Sequence, residues 1–440
     1  VRSVQQSAVK IVSGDVFHQK GNHDRRIMLF DLSIRGHHPN YIQQLIRYWH
    51  EQAVPARLEI VVSPGFLVEH ADVVEFAASL TRQDIRLTAI TPEEEAGLQS
   101  RKSFISRTKR AFQELELLRR YAVIVGATHC LMMYFDTFQI PLATGIQLPC
   151  PFSGIYFRPT FHYSAFDHYQ PSWKEQLQQW REAAILSRVL QHPQCHGLFC
   201  LDPFAVQYLQ TRGQNHVVHL PDPVSISTET GCSVQSLQAE LGVDPTRRVF
   251  LLFGALTGRK GIHQLLDAIA RLPTDLSQQV CLLLVGEIKS TEKPGVEAKI
   301  AALRQSLPVQ IITHYEFVPD HTIPGYFQLA DVVLAPYQHH VGMSGILLLA
   351  AAAKKPVLSS SYGLMGEFVR RYQLGIAVDS TLPAEIAAGL TRFLTEPTDQ
   401  LGDHARMQDF AEQNSADLYS RTIFQHLMTS LRFGSATHPI

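Results

Sequence analysis

The sequence predicts an α/β chain of two doubly wound parallel-sheet domains. Three observations carry this. Apolar runs of strand length recur along the chain, amphipathic helical stripes separate them, and the stiff tripeptide Pro221-Asp222-Pro223 divides the alternation into two series of similar size. A length of 440 residues fits two domains or more.

The first series opens with RIMLFDLSI, Arg26 to Ile34, a mostly apolar run ended by the turn-prone RGHHPN. Ile42, Leu45, Ile46 and Trp49 then recur at the spacing of one buried helical stripe, with Asn40 as an acceptable N-cap after Pro39. RLEIVVS from Arg57, a helix around Val68 to Leu80 and IRLTAI from Ile85 continue the pattern. The stretch from Arg101 to Arg120 carries Arg101, Lys102, Arg107, Lys109, Arg110, Arg119 and Arg120 against Glu114 and Glu116. With Phe104, Ile105, Phe112, Leu115 and Leu118 as its apolar residues, it reads as a basic amphipathic helix, a pattern that also suits peripheral contact with an anionic membrane. Between Cys130 and Tyr163 the pattern breaks into a Pro-, Gly- and aromatic-rich segment, expected to be an irregular working loop. A helix from Trp173 to Leu190, strand-like GLFCL, a helix from Pro203 and VVHL complete the series.

The second series runs from RRVFLLFGAL, Arg247 to Leu256, through GRKG into a helix with Ile262, Leu265, Leu266 and Ile269 on one stripe. VCLLLVG, VQIIT, DVVLAP, PVLSS and GIAVD follow as strands, and a helical tract covers about Pro383 to Arg432. The expected division is a polar leader at 1–26, a first domain at 27–222, a second at 223–414, and a C-terminal helix at 415–440 crossing back to the first domain.

Bulk composition narrows the partners. Lys plus Arg number 39 against 40 Asp plus Glu, so no global field draws the chain to nucleic acid. No apolar run reaches the roughly 18 residues of a spanning helix, and the first 26 residues lack the apolar centre of a secretory signal, so the chain reads as cytoplasmic. The six cysteines include no Cys-x-x-Cys pair and are expected to be reduced and structural.

Ligands of open parallel sheets bind at the carboxyl ends of the strands. Three loops occupy such places: Arg35 to His38, Gly258 to Gly261, and His339 to Gly345. In GRKG, two glycines let backbone approach a ligand, while Arg259 and Lys260 put adjacent cations before a helix N-terminus. A planar guanidinium that bridges oxygens and a compact ammonium beside it together suit a diphosphate.

FLLFGALTGRKGIHQLLDAIARL, LLLVGE, YEFVPDHTIPGYFQLADVVLAPY and AAAAKKPVLSS, in that order, resemble the C-terminal domain of retaining GT-B glycosyltransferases of family 4. RGHHPNYIQQLI is similar to the glycine-rich first loop of their N-terminal domain. The resemblance implies two Rossmann-like domains facing a cleft, with a nucleotide-sugar held mainly by the second. It implies that Arg259 and Lys260 neutralise the diphosphate, that Phe317 and Val318 line the base, and that Gly342, Met343, Ser344 and Gly345 meet phosphate or sugar. Gly36 and His37 would close the cleft from the other side, and Asp136 falls where an acceptor-side residue is expected. The family usually carries two glutamates with seven residues between them at this loop, whereas the corresponding places here are Val341 and Leu349. Either the donor is held differently, through Ser344 and His340, or the site has decayed.

Transfer of a sugar to a hydroxyl acceptor, with retention, is the implied activity, the acceptor being a glycan, lipid or small molecule. A non-catalytic nucleotide-sugar or glycan-binding protein is the alternative, motivated by the missing glutamates; a GT-B epimerase would need cleft carboxylates that the motifs do not supply. No cofactor or metal is expected, because adjacent His37 and His38 have no carboxylate cluster at ligand spacing and two cations already serve the diphosphate.

Overall fold

The computed structural model describes residues 25–36, 38–81, 84–99, 103–223 and 233–433. The first sheet contains β1 (Arg26–Phe30), β2 (Arg57–Val62), β3 (Ile85–Ala89), β4 (His129–Met132), β5 (Phe152–Tyr156), β6 (Cys195–Cys200) and β7 (Val217–His219), in the order β3-β2-β1-β4-β5-β6-β7. The second contains β8 (Arg248–Phe253), β9 (Val280–Val285), β10 (Gln310–His314), β11 (Val332–Ala335), β12 (Val357–Ser360) and β13 (Gly375–Val378), in the order β10-β9-β8-β11-β12-β13. All neighbours pair in parallel. Each sheet therefore grows outward from its first strand, reverses, and continues on that strand's other side. The reversal lies between β1 and β4, and between β8 and β11.

Both faces of each sheet are covered, which explains why the strands read as continuous apolar runs. In β8, Val249, Leu251 and Phe253 enter one layer with Cys281, Leu283 and Val285, whereas Phe250 and Leu252 enter the opposite layer with Leu282 and Leu284. Met28 and Phe30 similarly point away from Ile27 and Leu29, as the two-residue period of a strand requires.

Local chemistry moves several elements from their expected places. The first strand ends at Phe30, and helix His38–Glu51 begins before Asn40, with Pro39 in the first turn, where a missing N–H costs little. The helix expected over Val68 to Leu80 is two, Pro64–Glu69 and Ala71–Ser79, broken at His70. Helix Phe104–Ile124 buries Ala111, Leu115, Leu118 and Ala122, but Phe104, Ile105 and Phe112, expected on that same face, are exposed. The segment from Cys130 to Tyr163, expected to be irregular, contains most of β4 and all of β5, two central strands. Gly154 in β5 admits the Phe135 side chain, which a Cβ there would approach to 2.9 Å.

Residues 1–24, 82–83, 100–102, 224–232 and 434–440, together with His37, lie outside the described residues, and Arg101 and Lys102 fall among them. Pro221-Asp222-Pro223 leaves the first domain with Asp222 buried. The Asp222 carboxylate accepts from the Tyr41 hydroxyl at 2.7 Å, and its backbone N–H donates to Asn414 Oδ1 at 3.1 Å. Helix Ala416–Phe433 then returns to the first domain, packing Tyr419, Ile423, Phe424 and Leu427 with Tyr41 and Trp49. Phe424 meets Trp49 edge-on at 5.0 Å. Among the described residues, no helix is long and apolar enough to cross a membrane, and five cysteines are unbonded thiols.

Phe424→Ala removes the ring that closes this seam and should cost about 3–5 kcal/mol, read as a lower urea midpoint; an unchanged midpoint contradicts the packing role. His129, fully buried on β4 with Nε2 3.1 Å from Ser153 Oγ, is pushed down to about 3 by burial and then by His196 and His426. The unfolded chain takes up this proton from about pH 6.5 downward and the folded chain does not, so the contribution is complete above that pH and lost towards pH 3. Stability should therefore fall by about 1.4 kcal/mol per pH unit within this window for this group alone. His129→Gln should flatten the slope in urea titrations between pH 7 and pH 4, and an identical slope refutes the assignment.

Candidate functional site

On the second domain, β8 leads into a tight path that only glycines allow. Gly261 has φ +75°, and a Cβ there would lie 2.0 Å from the Pro336 carbonyl oxygen; at Gly286 a Cβ would lie 2.6 Å from the Gly254 oxygen. The loops after β8, β9 and β11 are thus in backbone contact. A short turn, Gly258–Lys260, carries both cations. The Arg259 guanidinium donates to His340 Nδ1 at 3.0 Å and sits 5.6 Å from the centre of the Tyr337 ring. Lys260 is buried, its ammonium donating to the Phe253 carbonyl and lying 5.2 Å from the same ring. Among the described residues, neither cation has a carboxylate within 4.0 Å.

His340 fixes this arrangement. Its Nδ1 accepts from Arg259, and its Nε2–H faces the Met343 carbonyl at 3.4 Å. Burial first, then Arg259, Arg158 and Lys260, push its pKa down to about 4. A neutral ring can accept from a guanidinium; a protonated one cannot. Expected as a contact to the donor, His340 has protein partners at both ring nitrogens.

Arg158 comes from the first domain and was not singled out from sequence. It follows β5 and is held from beneath, where the buried Asp136 carboxylate accepts from the N–H groups of Phe157 and Arg158 at 2.9 and 3.1 Å. Burial pushes Asp136 up to about 6, against the pull of Arg158. Glu182 holds the other side, accepting from the Tyr156 hydroxyl and from the Thr160 N–H at 2.9 Å. Arg158 borders a cavity of about 210 Å³ lined also by Asp31, His38, Tyr134 and Phe138. In it, His38 Nδ1 lies 2.6 Å from Asp31 Oδ2, and Asp31 Oδ1 accepts from the Ser33 N–H at 2.9 Å. A larger cavity, about 560 Å³, opens by Gly375 and Gly402, beside the amino end of β13 and away from these loops.

The carboxyl ends of the two sheets face each other. The Gly342 N–H donates to the Tyr163 hydroxyl at 3.3 Å, and a Cβ on Gly342 would meet Arg158 Cγ and the Phe157 oxygen at 3.1 Å. Tyr362 of the second domain donates to Glu175 of the first at 2.8 Å. Arg259, Lys260, His340, Gly342, Met343, Ser344 and Gly345 therefore gather at the gap. Ser344 begins helix Gly345–Ala352 with its hydroxyl making no capping bond. Val341 is half-buried, and Leu349 packs on the domain core. Phe317 is 70% exposed, whereas Val318 is in the core. Gly36 is an exposed turn residue at φ +78°, and His37 lies outside the described residues. Asp31, Arg158 and Tyr337 are the site residues sequence reasoning missed. Each stands within two residues after a parallel strand, a signal usable for Arg158 only once β5 is recognised.

Residues 233–414 match the family described as glycosyl transferases group 1. The chain is 26% identical over 181 residues to the lipopolysaccharide glucosyltransferase WaaG of Escherichia coli (strain K12), covering 41% of this chain and 45% of that one. It is 27% identical over 197 residues to a D-inositol 3-phosphate glycosyltransferase of Arthrobacter sp. (strain FB24), covering 44% and 45%. The chain thus spans less than half the length of these curated relatives. Among solved structures it resembles Anabaena HepE in complex with UDP, with TM-score 0.61, 15% identity, and 93% and 100% of the two chains covered. Sucrose-phosphate synthase from Thermosynechococcus elongatus matches with TM-score 0.62, 15% identity, and 94% and 100% covered. The two parallel-sheet domains are a GT-B fold, and the match to glycosyl transferases group 1 falls on the second of them.

Proposed function

We propose that the chain transfers a sugar from a nucleoside diphosphate sugar to a hydroxyl acceptor with retention of anomeric configuration. The observation that carries this reading is the convergence of Arg259, Lys260 and Arg158 about one neutral histidine, where two domains meet and neither Arg259 nor Lys260 has a carboxylate partner among the described residues. A buried ammonium without a counter-ion is costly, and an incoming diphosphate relieves that cost while gaining charge-assisted hydrogen bonds. That Anabaena HepE is solved with UDP and with UDP-glucose supports a uridine donor.

In the proposed step the bond from the sugar's anomeric carbon to the diphosphate oxygen breaks, and the bond to the acceptor oxygen forms on the same face. The acceptor proton passes to the departing diphosphate. Arg259, Lys260 and Arg158 stabilise the negative charge as it develops, the role otherwise taken by a metal ion, and no metal or cofactor belongs to this reading. The acceptor occupies the cavity beside Arg158, with its hydroxyl oriented by His38, whose ring Asp31 holds. Ser344 offers its hydroxyl to the donor sugar in place of the usual carboxylate. A binding-only role is the second reading, favoured by Leu349 on the core where a glutamate is usual.

Incubation with UDP-, GDP- and ADP-sugars and a panel of hydroxyl acceptors tests the reading: a transferred sugar is expected, and binding without turnover supports the second reading. Arg259→Ala and Arg158→Ala should each lower UDP or GDP affinity at least about tenfold, the loss of about 1.5–3 kcal/mol expected for a charged hydrogen bond. Calorimetry showing wild-type affinity in both overturns the diphosphate assignment. His38→Gln should leave nucleotide affinity unchanged but lower kcat/KM about a hundredfold with a panel acceptor that supports transfer; unaltered kinetics remove His38 from the acceptor side.

A further inference from the structure

We propose that the solvent face shared by helices Phe104–Ile124 and Trp173–Leu190 docks the protein on a bilayer containing anionic lipid. Trp173, Leu177 and Trp180 recur at i, i+4 and i+7 and are 70%, 58% and 71% exposed. The helix is held to its domain by the opposite side, where Gln179, Leu186 and Val189 are buried. It therefore carries two apolar stripes, one of them in water. Phe104 and Ile105, 51% and 79% exposed, extend the outer stripe from the neighbouring helix, and the Arg181 guanidinium joins the two helices, 5.4 Å from the Phe104 ring centre. A contiguous exposed patch of this kind marks an interaction surface, unlike scattered single residues.

Charge selects the occupant. Arg107, Lys109, Lys174 and Arg181 surround the patch, and among the described residues none has a carboxylate within 4.0 Å. The carboxylates of helix Trp173–Leu190, Glu175 and Glu182, are half-buried and turned to the protein, where they accept from the hydroxyls of Tyr169 and Tyr156. The Lys174 ammonium lies 5.6 Å from the Trp173 ring centre. Tryptophan placed among lysine and arginine matches the boundary between headgroup and acyl chain, where the ring is half-buried and the cations meet lipid phosphate. A second copy of this chain would instead oppose like charges. The patch also adjoins the gap between the domains, since Glu175, two residues beyond Trp173, accepts from Tyr362 of the second domain.

This surface stands independently of the transfer reading, and its test needs no substrate. Flotation with phosphatidylcholine vesicles, with and without phosphatidylglycerol, should recover the protein only with the anionic vesicles and less at physiological than at low salt. Emission should shift to the blue on binding, a change reporting Trp173 and Trp180 because Trp49 is already buried. The Trp173→Ala/Trp180→Ala double variant should retain the wild-type urea midpoint and lose about tenfold or more in vesicle partitioning. Changing Arg107, Lys109, Lys174 and Arg181 to Gln should abolish the preference for anionic vesicles. Wild-type partitioning by the double variant overturns the proposal. So does a wild-type protein that leaves both vesicle types unbound and forms a dimer that the double variant lacks.

Discussion

A parallel sheet that grows in two directions from one strand leaves a crevice beside that strand, because the connections on its two sides depart to opposite faces. Everything at the gap depends on this constraint, which acts twice. Beside β1 it opens the cavity of Asp31 and His38; beside β8 it places the loop of Arg259 and Lys260. The glycines do not make these crevices. They let the loops around them approach closely, as the contact of Gly261 with the Pro336 carbonyl requires.

Charge within the gap is set by burial as much as by sequence. Lys260 is an ammonium enclosed by a carbonyl and an aromatic ring, with no compensating anion among the described residues. His340 holds Arg259 only while unprotonated, and the cations around it, together with burial, keep it so. Asp136 acts at one remove: its carboxylate orders the backbone that carries Arg158. The domains thus contribute different parts of one electrostatic site, a fixed pair from the second and an arginine steadied from below in the first.

Much of the architecture was legible because strands covered on both faces are apolar at every position, as in Val280–Val285. β5 was not, since Ser153 and Gly154 interrupt its run and the reason for the glycine, the ring of Phe135, is known only in three dimensions. Missing β5 hid Arg158. The turn Gly258–Gly261 was readable as a candidate loop because GRKG combines conformational freedom and charge within four residues. His340 was readable as a polar residue of its loop, but its bond to Arg259 was not, because that bond joins loops from two non-consecutive strands. In helix Phe104–Ile124, composition revealed amphipathicity but not orientation: the buried stripe follows Ala111, Leu115 and Leu118, leaving Phe104 and Ile105 outside.

The return of helix Ala416–Phe433 to the first domain also governs the order of assembly during synthesis. Tyr419, Ile423, Phe424 and Leu427 complete a layer whose other members, among them Ile27, Leu45 and Trp49, leave the ribosome first. The second domain intervenes and has its own cores, so it can condense while one face of the earlier-made domain is still uncovered. The earlier-made of the two domains is therefore the later to close, and its unfinished apolar face is the surface a nascent chain must keep from other chains until residues 416–427 arrive.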